Sequence, residues 1–259
     1  MPVIDADGCP IHVAVEGPDG APVLMLSNSL GTNLHMWDDQ MPAFTRHFRV
    51  VRYDSRGHGQ SGAPHGEYTI ERLGRDALAV MDALGLEQVN WCGLSKGGMV
   101  GQWLGTNAPQ RIGRLVLCNT AAHMAPVDLW NQRIAAVTAN GMAPLVESVV
   151  ERWFTKAFRE KAPQAVDRIR QMLLTTPPHG YAGCCAAVRD MDQRETIRSI
   201  TAPTLVIGGR QDPATPLAAA ELIQKRIPGA RLVVLEAAHL SNIEQPAEFT
   251  AAVLEFLGK

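Results

Sequence analysis

The chain has 259 residues, with 24 Lys and Arg set against 26 Asp and Glu, for a formal net charge of -2. Hydrophobic residues make up 46% and charged residues 19%, enough apolar material for a full core, which excludes a disordered chain. So even a charge balance offers no field to gather nucleic acid or an anionic membrane surface, and the length suits one large α/β domain or two small ones. No apolar run nears the roughly 20 residues that a membrane helix needs. The start, Met1-Pro2-Val3-Ile4-Asp5, lacks the basic-then-apolar layout of a signal peptide. Cys9, Cys92, Cys118, Cys184 and Cys185 form neither a CxxC pair nor a metal-spaced cluster, and read as reduced thiols of a cytoplasmic chain.

In chain order, strand-like runs span 11–15, 23–27 and 48–54, with a tight turn at Gly17-Pro18-Asp19-Gly20. Ile70, Leu73, Ala77, Val80, Met81 and Leu84 then fall on one helical face, closed by Gly85. A buried-looking run at 89–94 precedes a second helix carrying Met99, Val100, Trp103 and Leu104, and a short strand follows at 115–118. Strands and helices alternating at this spacing predict a mostly parallel sheet with helices on both faces. From 121 to 200 the strand pattern gives way to amphipathic helices, clearest at 134–137, 145–154 and 166–174. Alternation then resumes: a strand at 204–209, a helix capped by Thr215 with Pro216 at its first position, a strand at 231–235 and a closing helix at 246–257. The spacing thus predicts a core from 1–120 and 201–259, with 121–200 inserted as a helical cap or lid over the ligand-binding edge of the sheet.

The sharpest motif is Gly93-Leu94-Ser95-Lys96-Gly97, set between a hydrophobic strand and a helix. A G-x-S-x-G turn there holds its serine hydroxyl out from the sheet edge on a strained backbone, and the glycines let strand and helix approach. Serine needs a base and an orienting carboxylate, in the chain order Ser, acid, His. Asp212 and His239 each follow directly after a strand and so share the edge with Ser95. Taken singly, Asp212 also reads as a turn residue and His239 as a surface histidine. The combination predicts a Ser95, Asp212, His239 triad. Oxyanion donors are expected from the backbone N–H groups of Lys96, at a helix N-terminus, and of Leu30, in the loop after an early strand. The Lys96 side chain is read as facing solvent, His58 as a turn residue beneath the site, and Asp54 as fixing its loop through hydrogen bonds.

Together, the 24–40 segment, Arg52-Tyr53-Asp54-Ser55-Arg56-Gly57-His58-Gly59-Gln60-Ser61, the serine turn and the Asp212 and His239 loops resemble the α/β-hydrolase fold over essentially the whole chain. The oxyanion loop of that superfamily usually carries His-Gly, where this chain has Asn28-Ser29. Ser27-Asn28-Ser29-Leu30-Gly31-Thr32, Leu117-Cys118-Asn119-Thr120-Ala121-Ala122 and His239-Leu240-Ser241-Asn242-Ile243-Glu244 further resemble 3-oxoadipate enol-lactonases. That resemblance implies a serine hydrolase of aromatic-compound breakdown, acting on a small anionic lactone without metal or organic cofactor. A lactone bearing a carboxylate implies a cation in the pocket. Arg133 is the candidate, one turn from Trp130 as an apolar wall, against the plainer reading of a packed tryptophan and a solvated arginine. A broad carboxylesterase or C–C bond hydrolase with the same triad is the alternative. Dehalogenase and epoxide-hydrolase chemistry would need an aspartate where Ser95 stands. A non-catalytic ligand receptor on this scaffold would be expected to have lost part of the triad.

Overall fold

The computed structural model describes residues 3–259; Met1 and Pro2, at the head of the stretch read as leaderless, lie outside them. The strands are β1 (Val3–Ala6), β2 (Cys9–Glu16), β3 (Val23–Ser27), β4 (Arg49–Tyr53), β5 (Val89–Leu94), β6 (Ile112–Cys118), β7 (Thr204–Gly209) and β8 (Arg231–Leu235). They form one sheet in the order β1-β2-β4-β3-β5-β6-β7-β8. The β1–β2 and β2–β4 pairs are antiparallel and the others parallel. Parallel strands buried on both faces become continuous apolar runs, and β7 is buried along its whole length.

The helices before the middle of the chain are α1 (Met41–Phe44), α2 (Ile70–Ala83) and α3 (Lys96–Asn107). Thr69 starts α2 by accepting the Arg72 N–H at 3.0 Å, and the stripe from Ile70 to Met81 packs it inward. Between β6 and β7 run five α-helices, α4 (Val127–Asn140), α5 (Ala143–Trp153), α6 (Lys156–Lys161), α7 (Pro163–Thr175) and α8 (Pro178–Asp190), and a short 3-10 turn at Thr196–Ser199. The chain closes with α9 (Leu217–Arg226), α10 (Ser241–Glu244) and α11 (Pro246–Leu257). On one face α1 meets α11, and on the other α2 packs against α3. No helix among the described residues is long and apolar enough to cross a membrane.

Two details differ from expectation. Pro216, not Thr215, caps α9, because the Thr215 hydroxyl is drawn to the Asp212 carboxylate at 2.7 Å instead of to a helix amide. The most deeply buried inserted helix, α8, has no periodic signature. It is apolar or small all round, with Gly180 and Gly183 in its length, so no stripe distinguishes it.

The Asp54-to-Ser61 turn is internally wired. Asp54 Oδ1 accepts the Leu34 N–H at 2.8 Å, and its Oδ2 accepts the Gln60 N–H at 2.9 Å and lies 3.0 Å from His12 Nδ1. Next to it, Arg56 forks onto Asp76, with Nε to Oδ2 at 2.8 Å and Nη2 to Oδ1 at 2.7 Å, both side chains buried. Asp76→Ala would strand a buried guanidinium, and is expected to cost about 3–5 kcal/mol. Urea denaturation measures this; an unchanged midpoint would contradict it.

Candidate active site

Ser95, Asp212 and His239, the residues expected to form a triad, each follow the end of a strand of the sheet. Ser95 joins β5 to α3 at φ 56° and ψ -115°, a conformation that costs a non-glycine residue and persists only under external constraint. That constraint is visible. The Ser95 N–H donates to Cys118 O at 2.8 Å, and the Thr120 hydroxyl donates to Ser95 O at 2.7 Å. The glycines provide clearance: a Cβ on Gly93 would lie 2.1 Å from Gly97 O, and one on Gly97 would lie 2.1 Å from Ser27 O.

His239 follows β8 and Asp212 follows β7. His239 Nδ1 lies 2.9 Å from Asp212 Oδ2, with both side chains buried. The carboxylate is saturated with donors. Oδ1 accepts the N–H groups of Ala214 at 2.8 Å and Thr215 at 3.0 Å, while Oδ2 accepts the Thr215 hydroxyl and Asn119 Nδ2 at 3.1 Å. Burial pushes the Asp212 carboxyl up. The opposing influence of His239 and the Thr215 hydrogen bonds outweighs it and holds the group below its ordinary value. The histidine loop is pinned from the inserted helices: Glu244 accepts the Ala238 N–H at 3.0 Å and the Thr155 hydroxyl, and Leu240 N–H donates to Trp153 O at 3.1 Å. The Trp153 ring stands 5.7 Å from the His239 ring.

The loop after β3 lies across the start of α3. Gly97 N–H donates to Asn28 O at 3.1 Å, and the Asn28 side chain is held by Tyr53 O at 2.8 Å and Trp37 Nε1 at 2.9 Å. Amide accounting here is informative. Ser29 N–H meets Met36 Sδ, Gly31 N–H meets His58, and Ser95 and Gly97 N–H meet carbonyls. Among the described residues no protein acceptor takes the N–H of Leu30 or of Lys96. Two unspent donors therefore remain beside Ser95.

Ser95 and His239 share the wall of a cavity of about 200 Å³ with Leu30, Trp130, Arg133 and Arg152. Trp130 and Arg133 lie on α4, the guanidinium 5.0 Å from the indole centre. Arg152, on α5, was not anticipated. It borders the buried Val146, Val149, Val150 and Trp153 stripe, and a charge on such a border is the only signal the sequence offers. Burial, and then the nearby Arg133 charge, push the Arg152 guanidinium down from its ordinary value. Neither arginine forms an ion pair with a carboxylate among the described residues, and Arg152 Nε merely donates to Ser148 O at 3.2 Å. Asn119 and Thr215 were likewise missed as Asp212 partners, since only the fold brings Asn119 across from the end of β6.

The Lys96 side chain corrects an expectation. It is 1% exposed, and its Nζ has no hydrogen-bond partner. The first turn of α3 is covered by the Asn28–Gly31 loop and the inserted helices, so the side chain has only the interior to enter. Burial pushes its amine below the ordinary value, against the pull of Cys184, Asp76 and Asp54. The five cysteines are free and buried.

A serine on a strained strand-to-helix turn, a buried His–Asp pair after later strands and a β3 loop with spare amides together define a class, and residues 22–246 match the family described as alpha/beta hydrolase fold. The chain is a hydrolase belonging to that family. Two solved structures superpose closely. One is a hydrolase from Pseudomonas aeruginosa, at 51% identity and TM-score 0.97, covering 99% of this chain and 97% of that one. The other is the enol-lactonase from Burkholderia xenovorans, at 42% identity and TM-score 0.98, covering all of both chains. The chain is also 40% identical to 3-oxoadipate enol-lactonase 2 of Acinetobacter baylyi, over 96% of this chain and 94% of the relative.

Proposed function

We propose that this hydrolase opens 3-oxoadipate enol-lactone to 3-oxoadipate, in the cytoplasmic breakdown of aromatic compounds, with Ser95, His239 and Asp212 as its triad and α4 to α8 as a cap over the sheet edge. The observation that carries this reading is the pair Arg133 and Arg152, two guanidiniums without carboxylate partners on the wall that also bears Ser95 and His239. Two like charges in a half-buried cavity call for an anion, and a substrate carboxylate supplies it. The names of the relatives support this particular lactone.

Asp212 holds the His239 Nδ1 edge, which leaves Nε2 as the base for the Ser95 hydroxyl. As Ser95 adds to the lactone carbonyl, the negative oxygen takes the unspent Leu30 and Lys96 N–H donors. Collapse expels an enolate, a better leaving group than a simple alkoxide; it takes the proton that His239 accepted from Ser95, which returns the imidazole to its neutral form, and its conversion to the ketone disfavours ring closure. Water activated by His239 then releases the acid and frees Ser95. Apart from the lactone and that water, each step draws on side chains and main-chain amides of this chain.

Loss of the lactone's ultraviolet absorbance on adding enzyme, compared with simple esters under the same conditions, tests the reading. Turnover of esters but not of the lactone would favour a general carboxylesterase. Arg133→Ala and Arg152→Ala are each expected to raise KM for the anionic lactone about 10-fold or more, as loss of a charge-assisted hydrogen bond predicts. KM for a neutral ester should move far less. Equal effects on both substrates would remove these arginines from carboxylate recognition.

A further inference from the structure

His58 is 0% exposed and has no carboxylate beside it, an unusual setting for an imidazole. Both ring nitrogens are nonetheless engaged. Nδ1 lies 3.2 Å from Arg56 O, and Nε2 receives the Gly31 N–H at 2.8 Å. A carbonyl only accepts and an amide N–H only donates, so these contacts define one neutral tautomer, with hydrogen on Nδ1 and a lone pair on Nε2. The remaining polar neighbour of Nδ1 is Cys184 Sγ, at 3.9 Å. Burial, and after it the Lys96 charge, push the imidazole far below its ordinary value and preserve the lone pair.

Gly31 directly follows Leu30, whose N–H is one of the two unspent donors. The peptide unit bearing the Leu30 N–H lies between two anchored points. Upstream, Ser29 N–H meets Met36 Sδ at 3.3 Å, and within the unit itself Ser29 O accepts the Thr32 N–H at 3.3 Å and the Thr32 hydroxyl at 3.0 Å. Downstream, among the described residues, the side chain that restrains the Leu30–Gly31 peptide through its N–H is that of His58. Gly31, at φ 80°, is the loop's most permissive residue, and without an acceptor its buried N–H would turn to find another partner. That rotation would swing the neighbouring Leu30 N–H away from Ser95.

We propose that His58 is a positioning residue, whose Nε2 acceptor holds the Gly31 N–H and thereby aims the adjoining Leu30 N–H at the negative oxygen formed when Ser95 adds to a carbonyl. This rests on the acyl-transfer reading above, but not on the identity of the lactone. His58 itself touches no substrate.

The test uses the full chain as wild type, His58→Phe, which offers a ring without an acceptor, and His58→Gln, whose side-chain oxygen can accept from Gly31. Steady-state hydrolysis of p-nitrophenyl acetate gives kcat and KM. A trifluoromethyl ketone, which adds to the serine and forms the charged oxygen, gives an inhibition constant. Loss of one oxyanion donor costs about 100- to 1000-fold, and a misdirected donor should cost less. His58→Phe is therefore expected to lower kcat about 10- to 100-fold with KM within about two-fold, and to weaken the ketone by a similar factor. His58→Gln should recover most of both. Wild-type kcat in His58→Phe, a loss confined to KM, or equal losses in His58→Phe and His58→Gln would overturn the proposal. Should the phenylalanine variant fail to fold, His58→Leu serves in its place, judged by the same comparison with His58→Gln. Absence of turnover of both the ester and the lactone in the wild type would overturn the acyl-transfer reading itself, and His58's role with it.

Discussion

Ser95→Ala is expected to lower kcat about 10⁴- to 10⁶-fold on the lactone and on p-nitrophenyl acetate alike, with little change in KM. The hydroxyl is the only group in the proposed mechanism that forms a bond to substrate, so nothing substitutes for it. Arg133, Arg152 and the spare amides would still bind the ring, which is why binding should survive. The fold should tolerate the change, because the strained turn is held by main-chain contacts to Cys118 and Thr120 and not by the serine hydroxyl. His239→Ala should fall into the same range, since triad members act as a unit and their losses do not add. Stopped assays with purified variants decide this. Turnover by Ser95→Ala within about 10-fold of wild type would overturn the mechanism, because uncoordinated water cannot reproduce a positioned nucleophile.

Asp212→Asn is expected to reduce kcat about 10⁴-fold and to destabilise the fold as well. Both effects follow from the donors around the carboxylate. Oδ2 receives Thr215 Oγ1 and Asn119 Nδ2 and faces His239 Nδ1, while Oδ1 receives the N–H groups of Ala214 and Thr215. Whichever way an asparagine amide turns, its NH2 meets at least two donors, leaving buried groups unpaired at about 1–3 kcal/mol each. On the His239 side, the amide would also favour the wrong tautomer and remove the charge that stabilises the imidazolium. The pH dependence has a definite sign. The native Asp212 carboxyl lies below its ordinary value, so its contribution is fully present above the ordinary carboxylate range and is lost as pH falls through the depressed native value. The stability gap between wild type and Asp212→Asn should therefore be widest near neutrality and shrink in strong acid. Denaturant midpoints across pH measure it, and a gap that widens in acid would refute the assignment.

Legibility varied along the chain for physical reasons. The bounds of β3, β5, β7, β8 and α11 coincide with the runs visible in the sequence, because buried parallel strands are uninterrupted apolar segments between turn residues. β1, at four residues on the sheet edge, and α8, apolar on every side, carry no such contrast and went unseen. The N-cap reading at Thr215 was locally reasonable. It failed by one residue because a carboxylate three positions upstream competed for the hydroxyl.

Periodicity and turn motifs, read from the chain alone, were enough to establish an α/β sheet with a run of helices before its last two strands, and to place Ser95, Asp212 and His239 each just beyond a strand. These are local properties, set by side-chain alternation, turn chemistry and the mechanical demands of one tight elbow. The arrangement of the site depended on contacts between segments far apart in sequence. Packing of α4 against α5 brought Arg152 toward Arg133, closure of the sheet carried Asn119 to Asp212, and burial of the first turn of α3 turned Lys96 inward. The same folding placed the His58 lone pair on the Gly31 amide. Burial and hydrogen-bond partnership are properties of the assembled interior, so no window of sequence contains them.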